Sequence, residues 1–331
     1  MIFVNSSRHD KKHAAILRAL QKLALMCALY QYPVFAAPAP SQAASAGYTI
    51  NTFTSNFTIA TVDMKDSRRR GFKWYLWDLF NRQADHAAVR LNADGSVTLL
   101  GDTTGATGEL VTAVQYRGTN SFVGTSFSGG AYIEAELKFD PRSVSAATVQ
   151  AWPAFWALPL EGNIIPKANE WKGQPSGYVH TVETDFFEAI RDPAGMPPNS
   201  YGGSMHDWYG VYNKSCGHGL CQVAMPYHDG MRIVPVGTDF TQYHRFGFLW
   251  VPATVQTAGY AKFYFDGRQV GKTQQWRLFE DQPPPPTGQP WAFGVLDRQH
   301  MFLILGTGVT QPMTVRSVNV WQAHTASNSV N

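Results

Sequence analysis

The sequence predicts an all-β protein in which two sheets pack face to face as a β-sandwich. Aromatic residues make up 13% of the 331-residue chain and charged residues only 15%, a balance typical of a domain with a large core. Short β-rich runs recur between Gly, Pro, Asn and Asp residues, and few segments have helical periodicity. The segments predicted as strands are 96–100, 131–139, 180–190, 243–250, 261–265, 301–305 and 313–321.

Alternation is clearest in segment 131–139, where every second residue is apolar and the others are mostly charged. Asp266-Gly267 lies between two β-rich runs and predicts a hairpin turn. The four prolines at 283–286 exclude a central strand and predict a loop. Because no internal linker or repeat interrupts these elements, we expect one domain over residues 47–325.

Residues 1–36 have the three-part pattern of a signal peptide. Five Lys and Arg residues precede an apolar run at 23–30, and small residues follow at 34–39. The run is too short to span a bilayer, so we expect export, with cleavage anywhere from 36 to 46 and no membrane association afterwards. The expected location is extracellular or periplasmic; an amphipathic helix over 13–30 is the alternative.

The leader also accounts for the basic charge of the chain, which is formally +3. Without residues 1–36 the chain keeps 22 basic and 23 acidic side chains, a net charge of −1. A nucleic-acid-binding protein needs a basic surface, so this balance argues against nucleic acid as a partner.

Two cysteines, Cys216 and Cys221, remain after the leader. In an oxidising compartment this close pair predicts a disulfide within a loop. His218 lies between them, so a Cys/His metal clip is the alternative. Outside the leader the histidines show no His-x-x-x-His spacing, and we expect no metal centre and no required cofactor.

The segment 182–189 carries three acids, Glu183, Asp185 and Glu188, between large apolar side chains. On a helix the two glutamates would not share a face, and on a regular strand Glu188 would point away from the other two. A one-residue bulge at Phe186-Phe187 would place both rings in the core and all three carboxylates on the opposite face.

Three like charges on one face repel one another, so a purely structural strand would gain nothing from them. A retaining glycosidase needs an ionised nucleophile and a protonated acid about 5–5.5 Å apart. Crowding and burial raise one carboxyl pKa enough to keep its proton near neutral pH. A solvated acidic edge strand is the alternative, and the residues alone leave open which glutamate has which role.

The segment Trp152-Pro153-Ala154-Phe155-Trp156, followed about thirty residues later by the acidic motif, resembles glycoside hydrolase family 16. The resemblance covers roughly residues 115–321 and includes 130–135, 206–208, 244–252 and 263–267. It implies a concanavalin-like jelly roll with a concave substrate cleft. It also implies that Glu183 is the nucleophile, Asp185 its electrostatic partner and Glu188 the general acid/base. A structural calcium ion occurs in this family, but no ligand set for one is identifiable here.

Sugar rings have flat C–H faces, and aromatic side chains near the motif are candidate platforms for them, although core roles are as common for such rings. The expected substrate-binding residues are Trp152, Trp156, His206, Trp208 and Trp250.

The resemblance is incomplete in ways that affect the substrate. Thr184 stands where the family usually has Ile, Arg316 where it usually has Asp, and segment 303–306 lacks a common Asn. β-1,3-Glucan of the laminarin type is the default expectation; mixed-linkage glucan, agar and carrageenan are alternatives. We therefore expect a secreted, monomeric, retaining endo-β-glycosidase acting on a polysaccharide. A transglycosylase on the same fold and a non-catalytic lectin are the competing interpretations.

Overall fold

The computed structural model describes residues 38–77, 84–100, 108–142, 152–165, 178–189, 197–211, 230–279, 293–306 and 312–323. The predicted leader, the cysteine pair and the proline loop lie outside these ranges. The secondary structure within them is almost entirely β. The elements in chain order are α1 (Ser41–Ser45), β1 (Ile50–Ser55), β2 (Val62–Asp63), β3 (Trp74–Leu76), η1 (His86–Ala88), β4 (Val89–Leu91), β5 (Val97–Leu99), β6 (Leu110–Val111), β7 (Ala113–Gln115), β8 (Phe122–Gly124), β9 (Ala131–Phe139), β10 (Ala154–Pro159), β11 (Tyr178–Glu188), β12 (Ser200–Val211), β13 (Met231–Ile233), β14 (His244–Val251), β15 (Gly259–Phe265), β16 (Arg268–Trp276), η2 (Phe293–Arg298), β17 (Met301–Gly306) and β18 (Met313–Gln322).

Two eight-stranded sheets contain most of these strands. Sheet 1 has the order β16-β15-β14-β9-β18-β5-β4, and β1 also pairs with β18. Sheet 2 has the order β13-β12-β11-β10-β17-β6-β3-β2, and β7 and β8 form a separate hairpin. Each segment predicted as a strand overlaps one of these strands, so the all-β prediction is confirmed.

Alternation positions the strands as the sequence predicts. In β9 the apolar residues Ile133, Ala135 and Leu137 are buried between the sheets. Asp266 and Gly267 both have positive φ, 47° and 78°, and they form the turn that joins β15 to β16. The outer face of β9 is not simply polar, because Tyr132 lies there in a second, smaller apolar cluster.

Aromatic rings fill the space between the sheets beneath β11. Phe186 of sheet 2 packs against Phe248 of sheet 1 with ring centroids 4.9 Å apart, and Phe187 packs against Phe246 at 4.4 Å. Burial of rings of this size is a main source of stability in a sandwich. The core therefore holds the inner side of β11 rigidly.

Residues 37–331 form one compact unit. In the described part of the chain, no helix has both the length and the apolar character needed to cross a membrane.

Candidate active site

Strand β11 contains the predicted bulge. Against β10, Asp185 pairs with Trp156 and Phe187 with Phe155, which leaves Phe186 without a partner. Against β12, Asp185 pairs with Ser204 and Glu188 with Gly202, so two residues of β11 lie opposite the single residue between them. One extra residue is thus inserted between Asp185 and Glu188, as the sequence predicts.

The bulge decides which side chains face the core. Phe186 and Phe187 are both fully buried in the core between the sheets. The extra residue brings Glu188 back to the same side as Glu183 and Asp185. The three carboxylates therefore share the outer face of sheet 2.

Ser204 lies at the centre of a hydrogen-bond network on this face. Its Oγ donates to Asp185 Oδ2 at 2.9 Å and lies 2.9 Å from His206 Nε2 and 3.5 Å from Glu188 Oε2. His206 Nε2 is also 2.9 Å from Asp185 Oδ2. One serine thus connects two of the three acids to the histidine.

Two indoles contact the glutamates. Trp152 Nε1 donates to Glu188 Oε1 at 2.8 Å, and 45% of the Trp152 side chain is exposed. Trp208 lies beside Glu183 and favours its charged form, and its ring centroid is 6.1 Å from that of His206. Glu188 therefore accepts from an indole N–H, and Glu183 has an indole beside it.

Burial makes the charged forms of these acids costly. It raises the pKa of Glu188 to about 8; the Asp185 carboxylate adds to the rise and the Trp152 N–H opposes it. Burial also raises the pKa of Glu183, with Asp185 adding to it, and that of Asp185, which the Ser204 hydroxyl lowers. The three carboxylates therefore cannot all be ionised at neutral pH, and at least one of them keeps a proton there.

A protonated and an ionised carboxyl side by side can act as a general acid and a nucleophile or base. Acids and histidines that lie close together can also bind a metal ion. In the described ranges, one group of acids and histidines brings three donor atoms within 4.8 Å of one another, namely Glu183, Asp185 and His206. Within this set His206 and Asp185 also contact each other and Ser204.

The structure brings most of the predicted site residues together. Trp156 pairs with Asp185 and therefore points to the carboxylate face, where its ring lies 5.6 Å from that of Trp77. Trp152, His206 and Trp208 lie on the same face. His180 points into the core, as its alternation with Glu183 predicts, and contacts Asp207 at 2.8 Å.

Trp250 is the exception, and its predicted subsite role is wrong. It is 1% exposed and belongs to the core between the sheets, on the inner face of sheet 1. Its indole Nε1 donates to Asp297 Oδ1 at 2.8 Å, and Trp276 donates to the other oxygen of the same carboxylate. Trp250 thus holds η2 against sheet 1 and does not reach the carboxylates.

Two site residues were missed from the sequence, Ser204 and Gly202. The signal for Ser204 was its alternation with His206 on one strand, but its register against Asp185 could not be read from the sequence. Gly202 lies opposite Glu188, and a Cβ there would be 3.2 Å from Glu188 Cβ and 3.5 Å from its Oε2. The glycine leaves room for the Glu188 side chain.

No protein-family model and no curated protein sequence matches this chain. Solved structures do match it. An endo-1,3-beta-glucanase from Streptomyces sioyaensis aligns with a TM-score of 0.50 and 18% identity over 86% of this chain and 98% of its own. LamAcat from Zobellia galactanivorans has a TM-score of 0.42 and 11% identity over 82% and 91% of the two chains. Basic winged bean lectin has a TM-score of 0.38 and 11% identity over 81% and 97%.

At these identities the likeness defines the fold and not the activity. The protein is a concanavalin-like jelly-roll β-sandwich, as predicted, with a carboxylate cluster on the outer face of sheet 2.

Proposed function

We propose that this protein is a retaining endo-β-glycosidase that hydrolyses a β-linked polysaccharide. The bulge in β11 is the observation that carries the proposal, because it places Glu183 and Glu188 on one face with Asp185 between them. A purely structural strand would gain nothing from three neighbouring carboxylates with raised pKa values.

In the first step Glu188 donates its proton to the glycosidic oxygen, and that oxygen leaves with the departing sugar. Glu183 attacks the anomeric carbon and forms a covalent glycosyl-enzyme ester. In the second step Glu188, now ionised, takes a proton from water, and the resulting hydroxide displaces Glu183 from the anomeric carbon. Two inversions leave the anomeric configuration as it was in the substrate.

The surroundings suit two carboxyls of which one is protonated, and the motif resemblance assigns the roles. Burial raises the pKa of both Glu188 and Glu183 to about 8, so a proton is held at neutral pH as a general acid requires. His206 and Trp208 oppose this rise at Glu183, and the Trp152 N–H opposes it at Glu188. Asp185, held by Ser204 and His206, orients the site through hydrogen bonds.

β-1,3-Glucan is the proposed substrate, and the enzyme is proposed to act as a secreted monomer. The motif resemblance and the fold likeness to a protein named as an endo-1,3-beta-glucanase support this choice. The half-exposed ring of Trp152, hydrogen-bonded to Glu188, offers a sugar platform beside the leaving group.

The first experiment is a reducing-sugar assay on laminarin, lichenan, agarose and carrageenan. We expect cleavage of laminarin to shorter oligosaccharides, with retained configuration by NMR. The appearance of longer products would identify a transglycosylase, and binding without cleavage of any polymer would identify a lectin.

The roles of the glutamates are tested by substitution. Glu183→Ala and Glu188→Ala should fold normally and lose activity on the order of 10²–10⁴-fold or more. Azide should rescue the Glu188 variant with retained configuration and the Glu183 variant with inverted configuration, because only in the former does the glycosyl-enzyme form. Glu136→Gln, on the outer face of sheet 1, is the control and should keep full turnover. Wild-type turnover in either site variant would disprove the assignment.

A further inference from the structure

We propose that an exposed basic surface at the edge of sheet 2 binds an anionic polysaccharide, through sulfate or carboxylate groups on the chain. This basic edge consists of Lys65, Arg69 and Arg70 in the loop between β2 and β3, with Tyr116 and Arg117 at the tip of the β7–β8 hairpin. The inference rests on the proposed function where it relates the bound polysaccharide to the active site. The binding itself does not depend on catalysis.

The charge of the molecule is strongly asymmetric at this edge. Residues 63–73 together with Arg117 contain six basic and two acidic side chains, a net charge of +4. The rest of the chain from residue 37 onward keeps 16 basic and 21 acidic side chains, a net charge of −5. Lys65, Arg69 and Arg70 are exposed, and neither Arg69 nor Arg70 forms an ion pair with a carboxylate of the described residues. A positive patch on a negative body attracts polyanions to one place.

The two segments are joined into one surface by buried polar contacts. Asp63 accepts from the backbone N–H of Arg68 at 2.7 Å and from Ser67 Oγ at 3.0 Å. Arg68 in turn binds Asp66 at 2.9 Å and donates to the backbone oxygen of Gln115, at the base of the hairpin, at 3.1 Å.

The loop backbone is held in an uncommon conformation by these contacts. Asp66 and Arg68 have φ values of 47° and 52°, a region that non-glycine residues rarely adopt. Arg117 closes the arrangement through an ion pair with Asp66. Arg68 is therefore structural, and the other basic side chains are presented to solvent on a fixed backbone.

The register of sheet 2 places the basic edge on the carboxylate face. Asp185 pairs with Trp156, and the pairing continues through Ile304 and Val111 to Tyr75 of β3. Residues directly opposite in antiparallel strands point to the same side, so Tyr75 lies on the same face as Asp185. Its hydroxyl donates to the backbone oxygen of Arg69 at 3.0 Å, which holds the loop over this face.

The basic edge is far enough from the acids to bind a different part of a polymer. Strand β3 is four strands away from β11, which corresponds to about 19 Å at about 4.8 Å per strand. A chain whose scissile bond lies at Glu183 and Glu188 and which runs across the strands would reach the loop several sugars away.

The chemistry of the surface favours an anionic sugar chain. Arginine donates two parallel hydrogen bonds to a sulfate or carboxylate, and Arg69 and Arg70 are adjacent. Tyr116 is 47% exposed beside Arg117 and offers a ring face to a sugar. Nucleic acid would also use basic and aromatic groups, but the position on the carboxylate face ties this surface to the polysaccharide site.

Binding is tested with dextran sulfate, carboxymethyl-dextran and dextran, which share one neutral backbone. By titration calorimetry at 50 mM salt, wild-type protein should bind one or both charged polymers and not dextran, and the affinity should fall as salt rises. The difference between the two charged polymers tells sulfate from carboxylate. Arg69→Ala/Arg70→Ala should lower the affinity by roughly tenfold or more. Arg268→Ala/Lys272→Ala removes two exposed basic residues from β16 at the edge of sheet 1 and should bind as wild type does.

Two results would overturn the proposal. One is equal loss in both double variants, which would mean that only net charge matters. The other is binding of duplex DNA as tight as that of dextran sulfate, which would mean a general polyanion surface. Glu188→Gln separates this inference from the proposed function: it should bind dextran sulfate normally whether or not laminarin is a substrate.

Discussion

At the scale of single residues, the hydroxyl group of Ser204 connects the acids of the site through hydrogen bonds. Ser204 has one proton to donate and two lone pairs, and it has contacts with Asp185, Glu188 and His206. When the Ser204 hydroxyl donates to Asp185, it favours the ionised form of that carboxyl. The Ser204 oxygen can then accept from His206, whose Nε2 lies 2.9 Å from both Ser204 Oγ and Asp185 Oδ2. The protonation of the acids is therefore set partly by a neutral side chain that does not itself titrate.

We expect Ser204→Ala to move the acidic limb of the pH–rate profile to higher pH. The Ser204 hydroxyl lowers the pKa of Asp185, so its loss raises that pKa further and leaves Asp185 protonated over a wider range. A lost hydrogen bond to a charged group should also reduce kcat by about 10–100-fold. The measurement is kcat against pH on the best substrate of the screen.

Ser200→Ala is the matched control for this change. It lies on the same strand, and its hydroxyl donates to the backbone oxygen of Pro197, away from the acids. It should leave the pH profile unchanged. An unshifted acidic limb in Ser204→Ala, with normal folding, would remove Ser204 from the proton network.

At the scale of the strand, the bulge was predictable because the sequence breaks its own alternation. Two adjacent phenylalanines follow alternating acids, and only an extra residue puts both rings inside and Glu188 outside. Trp250 was misplaced although its alternation with Phe246 and Phe248 already indicates the core. What the sequence could not reveal is the acceptor, Asp297, which lies 47 residues away. Long-range register explains the other misses too, because no local pattern pairs one strand with another.

Two adjacent glycines on β12 should separate activity from stability. Gly202 faces Glu188, and a Cβ there would be 3.2 Å from Glu188 Cβ, so Gly202→Ala should displace the acid and lower kcat. Gly203 faces the core, and a Cβ there would be 3.0 Å from Arg232 Cγ and 3.3 Å from the Phe263 ring. Gly203→Ala should therefore overpack the core and destabilise the fold by about 1–3 kcal/mol.

Thermal melts and kcat for both glycine variants test this division, and each variant is the control for the other. Gly202→Ala should keep most of the melting temperature, whereas Gly203→Ala should keep most of kcat at temperatures where it is folded. A larger stability loss in Gly202→Ala than in Gly203→Ala would contradict the assignment of faces on β12.

At the scale of the whole molecule, the acid cluster makes stability depend on pH. The pKa of Glu188 is raised by burial to about 8 in the folded protein, whereas an unfolded Glu has a value near 4.3. Between these values the folded state binds the proton more tightly, so the stability contributed by the protonated group falls as pH rises toward and through 8. The fold bears this cost at the site where the proposed general acid would retain its proton.

Glu188→Gln should therefore stabilise the protein, and more at high pH than at low pH. The amide cannot ionise, and its carbonyl oxygen can still accept from Trp152, so the variant keeps the contact without the cost of a buried charge. Near pH 5 the two proteins should melt at similar temperatures. At pH 8–9 the variant should be more stable by about 1–3 kcal/mol, less than an isolated group would give because the neighbouring acids share the proton.

Asp94→Asn is the control, and it should change the stability in the opposite direction. Hydrogen bonds from Ser96 lower the pKa of Asp94, so removing the Asp94 charge should reduce the stability by an amount that stays constant from pH 5 to 9. Melting curves of the three proteins across this range test the linkage, and a Glu188→Gln gain that does not grow with pH would show that Glu188 is not the group that retains the proton.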